Sequence, residues 1–124
     1  MDITPLIPAD RQVIDGYGPG RFHVSGRTHE GPLLVFPDHA EAWPVGDFAG
    51  LTADSFAAIV NASPKVEILL LGGGARTQLL PSVLRQHLRA HGVVVDVMDS
   101  GAACRTYNVL LSEERRVAAA LFPV

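Results

Sequence analysis

Hydrophobic positions along this chain change period once, near residue 50. Before that point the apolar runs are short and broken by turn residues. "RQVIDGYGPGRFHVSG" predicts two strands, Gln12–Asp15 and Phe22–Ser25, around a turn rich in Gly16, Gly18, Pro19 and Gly20. "GPLLVFPD" places a nearly continuous apolar strand at Leu33–Phe36. "EAWPV" is another short piece, best placed at a sheet edge because Pro44 cannot donate to a ladder. The first third is therefore β-rich and hairpin-like.

Beyond it, helical and strand periods alternate. Thr52 suits an N-cap, with Leu51 positioned to staple onto Phe56, and Phe56, Ile59 and Val60 form the buried stripe of a helix ending near Asn61. "VEILLL" is a strand whose unbroken apolar run implies cover on both faces. Pro81 opens a second helix, with Leu80, Val83, Leu84 and Leu88 at helical spacing up to Gly92. "VVVDVM" is a second buried strand, Ser100 is placed to cap a third helix through about Leu111, and "RRVAAALFPV" closes as a final strand. The order β–α–β–α–β argues for an α/β layered sheet, with right-handed crossovers setting the faces of the helices.

Composition narrows the function classes. With 124 residues, 48% hydrophobic and 19% charged, the chain is expected to form one domain over residues 1–124 with a sizeable core. Nine arginines against the single Lys65, with abundant alanine, read as the bias of a GC-rich bacterial genome. A net charge of −3 gives no general attraction to nucleic acid or anionic membrane. The charge is uneven: residues 1–62 carry eight acids and three arginines, residues 63–124 five acids and seven bases. Cys104 is the only cysteine, which excludes a disulfide framework and a cysteine-rich zinc site. "MDITPLIPAD" has neither a secretory signal pattern nor an arginine-rich presequence, and no stretch reaches the ~20 apolar residues of a membrane span. A cytoplasmic protein is the resulting expectation.

The candidate chemistry lies where the two buried strands end. Gly72, Gly73 and Gly74 follow the first, with Arg76 close behind. Asp99 and Ser100 follow the second and lead into a helix carrying Cys104 and Arg105. Carboxyl ends of parallel strands face a common crevice, and glycines, free helix-start amides and two guanidiniums make an anion site possible there. The same glycines serve equally as a strand-to-helix turn without a ligand. A dinucleotide fingerprint is disfavoured, although Asp96 or Asp99 stands near the place of a ribose-binding acid: Thr77 occupies the third glycine position and the helix starts late, at Pro81. No Gly-Lys-Ser/Thr is present, which excludes a P-loop.

Cys104 near a helix start could be an activated thiol, but no histidine offers itself as a base, and a small buried residue is the alternative. His87 and His91 have i, i+4 spacing without the intervening acid of a zinc-protease helix. His87 reads as the edge of the buried stripe and His91 as an exposed residue of the last turn. Trp43 and Tyr107 read as packing residues. No cofactor and no metal are expected.

The run "VMDSGAACRTYNVLLSEERRVAAALFP" resembles the end of a family of small α/β domains of unknown function that includes mitochondrial complex I assembly factor 3. "GYGPGRFHVSG", "HEGPLLVFPD", "WPV" and "EILLLGGGAR" resemble it too, so that the likeness covers nearly the whole chain. It implies a three-layer α/β fold with a mixed central sheet whose last strand runs antiparallel to the others. It implies no established enzyme activity. The mitochondrial member acts with another assembly factor on early, peripheral-arm intermediates of the respiratory NADH dehydrogenase, while bacterial relatives mostly have no assigned function. Two departures stand out: Gly73 replaces the central threonine of a usual Gly-Thr-Gly, and Glu114 stands where a turn glycine is more usual. The mitochondrial location is not implied, for want of a presequence.

The leading expectation is thus a non-enzymatic protein-binding module, with NADH dehydrogenase subunits or assembly factors as partners. The alternative is a small-molecule or anion-binding protein, or an enzyme, using the crevice of Gly72, Gly73, Gly74, Arg76, Asp99, Ser100, Cys104 and Arg105. No nucleic-acid partner and no integral membrane segment of the chain itself are expected.

Overall fold

A computed structural model of the chain describes residues 10–124. The expectation drawn from "MDITPLIPAD" therefore falls, Asp10 apart, outside the described residues. Five strands open the chain: β1 (Ile14–Gly18), β2 (Arg21–Val24), β3 (Arg27–Glu30), β4 (Leu33–Val35) and β5 (Ala40–Ala42). Two short 3-10 turns, Phe48–Gly50 and Ala53–Phe56, lead into α1 (Ala57–Val60). There follow β6 (Ile68–Gly72), α2 (Ser82–Ala90), β7 (Val94–Met98), α3 (Ser100–Ser112) and β8 (Val117–Leu121).

The strands form two sheets. One is antiparallel in the order β1-β2-β3, and the other is mixed in the order β5-β4-β8-β6-β7. The mixed sheet agrees with expectation, but the direction of the last strand differs. β8 runs parallel to β6 and antiparallel only to β4. The reason is the α3 crossover: two consecutive β-α-β connections make β6, β7 and β8 a parallel set, onto which the β4–β5 hairpin is added.

Alternation sorts the central strands between two cores. Leu34, Leu69, Leu71, Ala118 and Ala120 face a layer made of α2, α1 and the 3-10 turns. Leu33, Val35, Leu70, Val117, Ala119 and Leu121 face α3 and the smaller sheet. Both faces of β6 and β8 are covered, which is why "ILLL" and "VAAAL" carry no polar position. The small side chains of Ala118 and Ala120 leave room for large aromatic ones. Trp43 packs on Phe122 and Phe56 with ring centroids 5.0 and 5.9 Å away, and its indole N–H donates to the Ser55 carbonyl at 2.8 Å. Burying each leucine of β6 contributes roughly 1.5–3 kcal/mol.

Several expected boundaries move. The first strand is shifted to Ile14–Gly18, so Gly16 and Gly18 lie within β1 and only Pro19 and Gly20 make the turn, with Gly20 at a φ of 72°. The "hairpin" is in fact three-stranded, because the polar segment Arg27–Glu30 pairs with β2. Thr52 does stand at the start of its helix, its amide donating to Ser55 Oγ at 2.9 Å, but the first turn is 3-10 and only Ala57–Val60 is α-helical. Val83, expected in the buried stripe of α2, is 67% exposed, whereas Leu80, Leu84 and Leu88 are buried. Trp43 and Tyr107 are buried packing residues. No helix among the described residues is long and apolar enough to cross a membrane.

Candidate functional site

The carboxyl ends of β6, β7 and β8 meet at the glycine loop. The loop's backbone is bonded to the surrounding chain: Gly73 N–H donates to the Met98 carbonyl (2.9 Å) and Phe122 N–H to the Gly72 carbonyl (3.0 Å). Ser100 closes the arrangement from α3. Its amide donates to the Gly74 carbonyl at 2.8 Å. Its hydroxyl accepts from Gly74 N–H at 2.9 Å and donates to the Phe122 carbonyl at 2.5 Å. Ser100 is therefore the first residue of α3 and not its cap. The cap is Asp99, whose Oδ1 accepts from Ala102 N–H at 2.8 Å. A carboxylate has lone pairs to spare at this position, while the serine hydroxyl is needed across the loop.

Glycine at Gly72 is required by contact, and a side chain at Gly73 would oblige the loop to shift. A Cβ on Gly72 would stand 2.7 Å from Ser100 Oγ and 2.9 Å from Ser100 Cα, and one on Gly73 would stand 2.8 Å from the Arg76 carbonyl. A Cβ on Gly101 would collide with the Tyr17 hydroxyl, so β1 lies directly over the start of α3. Gly72, Gly73, Gly74, Asp99 and Ser100 are thus brought together. Arg76 and Arg105 are exposed and form no ion pair or side-chain hydrogen bond among the described residues. Cys104 turns away into the core below, and burial pushes its thiol up to about 12 against the opposite pull of Arg105. Tyr107, also raised by burial, donates to the Gln12 carbonyl at 3.0 Å. Asp96 is exposed on β7 opposite Leu70, well before the strand's end.

The His87 and His91 rings lie 4.7 Å apart, His91 exposed and His87 half-buried. No group of three or more His, Cys, Asp or Glu side chains arranged to hold a metal ion occurs among the described residues.

A cavity of about 550 Å³ lies at the other end of the sheet, beside the amino ends of β6 and β8. Phe36, Val66, Leu111 and Val117 give it an apolar floor, and Arg11, Lys65, Arg115 and Arg116 stand around it. The turn after β4 contributes Asp38, His39 and Glu41. The His39 ring stacks on Phe36 with centroids 4.5 Å apart and planes 13° apart. Its Nδ1 meets Asp38 Oδ1 at 2.8 Å and its Nε2 meets Glu41 Oε1 at 2.9 Å. Ionised carboxylates only accept, so the two contacts favour the charged form in which both ring nitrogens carry a proton. Partial burial opposes that charge, yet the two hydrogen bonds prevail and raise the His39 pKa. The same bond to His39 lowers that of Asp38.

Sequence reasoning passed over this cavity. Its signal was the acid–His–x–acid order of "DHAE" together with Arg115-Arg116 before a strand, but only the antiparallel direction of β4 brings the two segments together.

Comparison with known proteins places the chain. Residues 14–122 match the family described as protein of unknown function (DUF498/DUF598). The chain belongs to that family. A relative from Rhodobacter capsulatus, an uncharacterized protein, is 44% identical over 90% of this chain and 84% of its own length. The Danio rerio protein named NADH dehydrogenase [ubiquinone] 1 alpha subcomplex assembly factor 3 is 39% identical over 90% of this chain, which spans 64% of that protein's length. The crystal structure of a Bordetella parapertussis protein shares the fold with a TM-score of 0.85 and 35% identity, covering 92% of this chain and 97% of that one. The resemblance seen in the sequence is therefore a true family relation.

Proposed function

We propose that this chain is a non-enzymatic protein-binding module of the cytoplasm that assists assembly of the respiratory NADH dehydrogenase. The observation that carries the reading is its 39% identity to a protein named as an assembly factor of that enzyme. A surface feature supports it. Leu79, in the loop before α2, and Val83, in the first turn of α2, are 95% and 67% exposed, two aliphatic side chains that a partner could cover. Exposed apolar side chains cost solubility unless a partner covers them.

The test is a pull-down of tagged protein from the native host, repeated with the variant Leu79→Asp/Val83→Glu. Near-stoichiometric recovery of peripheral-arm NADH dehydrogenase subunits, lost in the variant, is the expected result. Recovery of the chain alone would overturn the proposal.

A second reading places a small anion outside the glycine loop, with Arg76 and Arg105 as its anchors, and it is favoured by both arginines being exposed and without an ion pair among the described residues. It predicts that Arg76→Ala/Arg105→Ala abolishes binding of inorganic phosphate or a nucleotide while leaving the melting temperature in place.

A further inference from the structure

We infer that the cavity at the amino ends of β6 and β8 is a binding site for a small organic oxyanion, a carboxylate or phosphate ester carrying an apolar body. The inference is independent of the protein-binding reading and concerns the opposite end of the sheet from the glycine loop.

Size and polarity set the ligand class. About 550 Å³ is the volume of a small-molecule site, and the floor is made of aliphatic and aromatic side chains. The charges at the mouth are unbalanced in a specific way. Asp38 and Glu41 are already bonded to the two nitrogens of His39, which leaves Glu114 as the one carboxylate of the cavity without a cationic partner. Lys65 donates to the His91 carbonyl at the end of α2. Arg11, Arg115 and Arg116 make no ion pair among the described residues. Asp38 and Glu41 share the single positive charge of His39, so that turn keeps a net negative charge of one, and Glu114 adds another. The three guanidinium-bearing residues of the lining still outnumber these two negative charges. Their planar forks match a carboxylate or phosphate head, and the floor suits an apolar tail.

The three arginines are also held in place by their backbones. Gln12, next to Arg11, donates to the Pro37 carbonyl at 2.9 Å and accepts from the Tyr107 hydroxyl at 3.0 Å. Arg115 N–H donates to the Leu110 carbonyl at 3.0 Å, and the Arg116 carbonyl accepts from both Glu67 and Ile68. The turn that delivers Arg115 and Arg116 to the mouth is made by Glu114 at a φ of 61°, a left-handed conformation that a glycine would take without strain.

The experiment is a titration of the full chain with phenyl phosphate, followed by amide chemical shifts in two-dimensional NMR, with inorganic phosphate, benzoate and benzyl alcohol run in parallel. Saturable shifts at residues 36–41 and 111–117 are expected for phenyl phosphate or benzoate, weaker ones for inorganic phosphate and none for benzyl alcohol. Which of the two organic anions binds more tightly identifies the head group. Arg115→Ala and Arg116→Ala should each raise Kd about tenfold. Arg76→Ala/Arg105→Ala, at the far end, should leave it unchanged. The spectra report whether each variant is folded. If one of the two alanine variants fails to fold, Arg11→Ala puts the same question from the opposite wall. Shifts that map to residues 72–76, Kd values indifferent to Arg115 and Arg116, or no saturable shift with either organic anion would each overturn the inference.

Discussion

Ser100→Ala removes one oxygen from the point where two strands and a helix are joined. In the native protein that oxygen accepts from Gly74 N–H and donates to the Phe122 carbonyl, and Ser100 itself is fully buried. Truncation leaves a buried donor and a buried acceptor with no other partner in the structure. An unsatisfied buried group costs ~1–3 kcal/mol, and the loop recovers part of that by relaxing, so the expected loss is ~2–4 kcal/mol. With a urea m-value of about 2 kcal/mol/M, the unfolding midpoint should fall by about 1–2 M at unchanged slope. A loss below ~0.5 kcal/mol would refute the reasoning, since it would mean that water replaces the hydroxyl and that the loop's polar atoms are open to solvent and ligands.

Gly72→Ala in both backgrounds sharpens the test. In the wild type the new Cβ meets Ser100 Oγ at 2.7 Å, Ser100 Cα at 2.9 Å and Leu121 Cδ2 at 3.0 Å. Deleting Oγ removes only the first of these. The backbone contact survives, and Gly72→Ala should still destabilise the Ser100→Ala protein by ~1–3 kcal/mol. If the second substitution becomes neutral, α3 is not seated against the sheet as described. Arg105→Ala serves as the control, because its exposed side chain has no partner among the described residues and its removal should stay within ~0.5 kcal/mol.

Three further outcomes are expected. Cys104 should resist a thiol-specific disulfide reagent in the folded protein at neutral pH and react on addition of urea, because burial pushes its thiol up to about 12; fast native reaction would contradict its placement. Glu114→Gly should raise stability by ~0.5–1 kcal/mol, measured by urea unfolding, since relief of a left-handed non-glycine residue outweighs the entropy lost by glycine. The His39 imidazole should titrate above its ordinary value by NMR and fall back in Asp38→Asn or Glu41→Gln. A raised histidine pKa stabilises the fold below the unfolded-state value and loses that effect as pH rises through the folded value, while the lowered Asp38 pKa loses its effect as pH falls through the folded value. The cluster's contribution should therefore peak between the two, and a thermal-melting profile insensitive to Asp38→Asn across that window would refute it.

What the sequence made legible was what periodicity and turn chemistry encode locally. The apolar runs of β6, β7 and β8 and the stripe Leu80, Leu84, Leu88 were visible because burial on one or both faces leaves a period in the chain. β3 was invisible because Arg27–Glu30 is polar and largely exposed, and only its pairing with β2 makes it a strand. Val83 sits at helical spacing yet points outward, which no pattern of residue types distinguishes from core. That Asp99 and not the expected Ser100 caps α3 was equally closed to inspection. Both residue types cap helices, and what decided it was a long-range demand on the serine hydroxyl from Gly74 and Phe122.

The two ends of the central sheet divide the chemistry by the same logic. Parallel β6, β7 and β8 send their carboxyl ends to the glycine loop, where the rule for open α/β sheets looks for ligands. In this protein the polar atoms of Gly72, Gly74, Asp99 and Ser100 are instead bonded to one another or to neighbouring backbone, so that end is a joint. β4 enters antiparallel, and its carboxyl end therefore comes to the opposite rim, next to the residues that lead into β8. There the turn at Asp38–Glu41 consumes its own acids on His39 and leaves the arginines of the neighbouring segments unpaired. An all-parallel sheet would have placed that turn, with Phe36 and His39, beside the glycines and away from Arg115 and Arg116. The direction of a single strand thus decides which end of this fold is closed and which end holds a cavity.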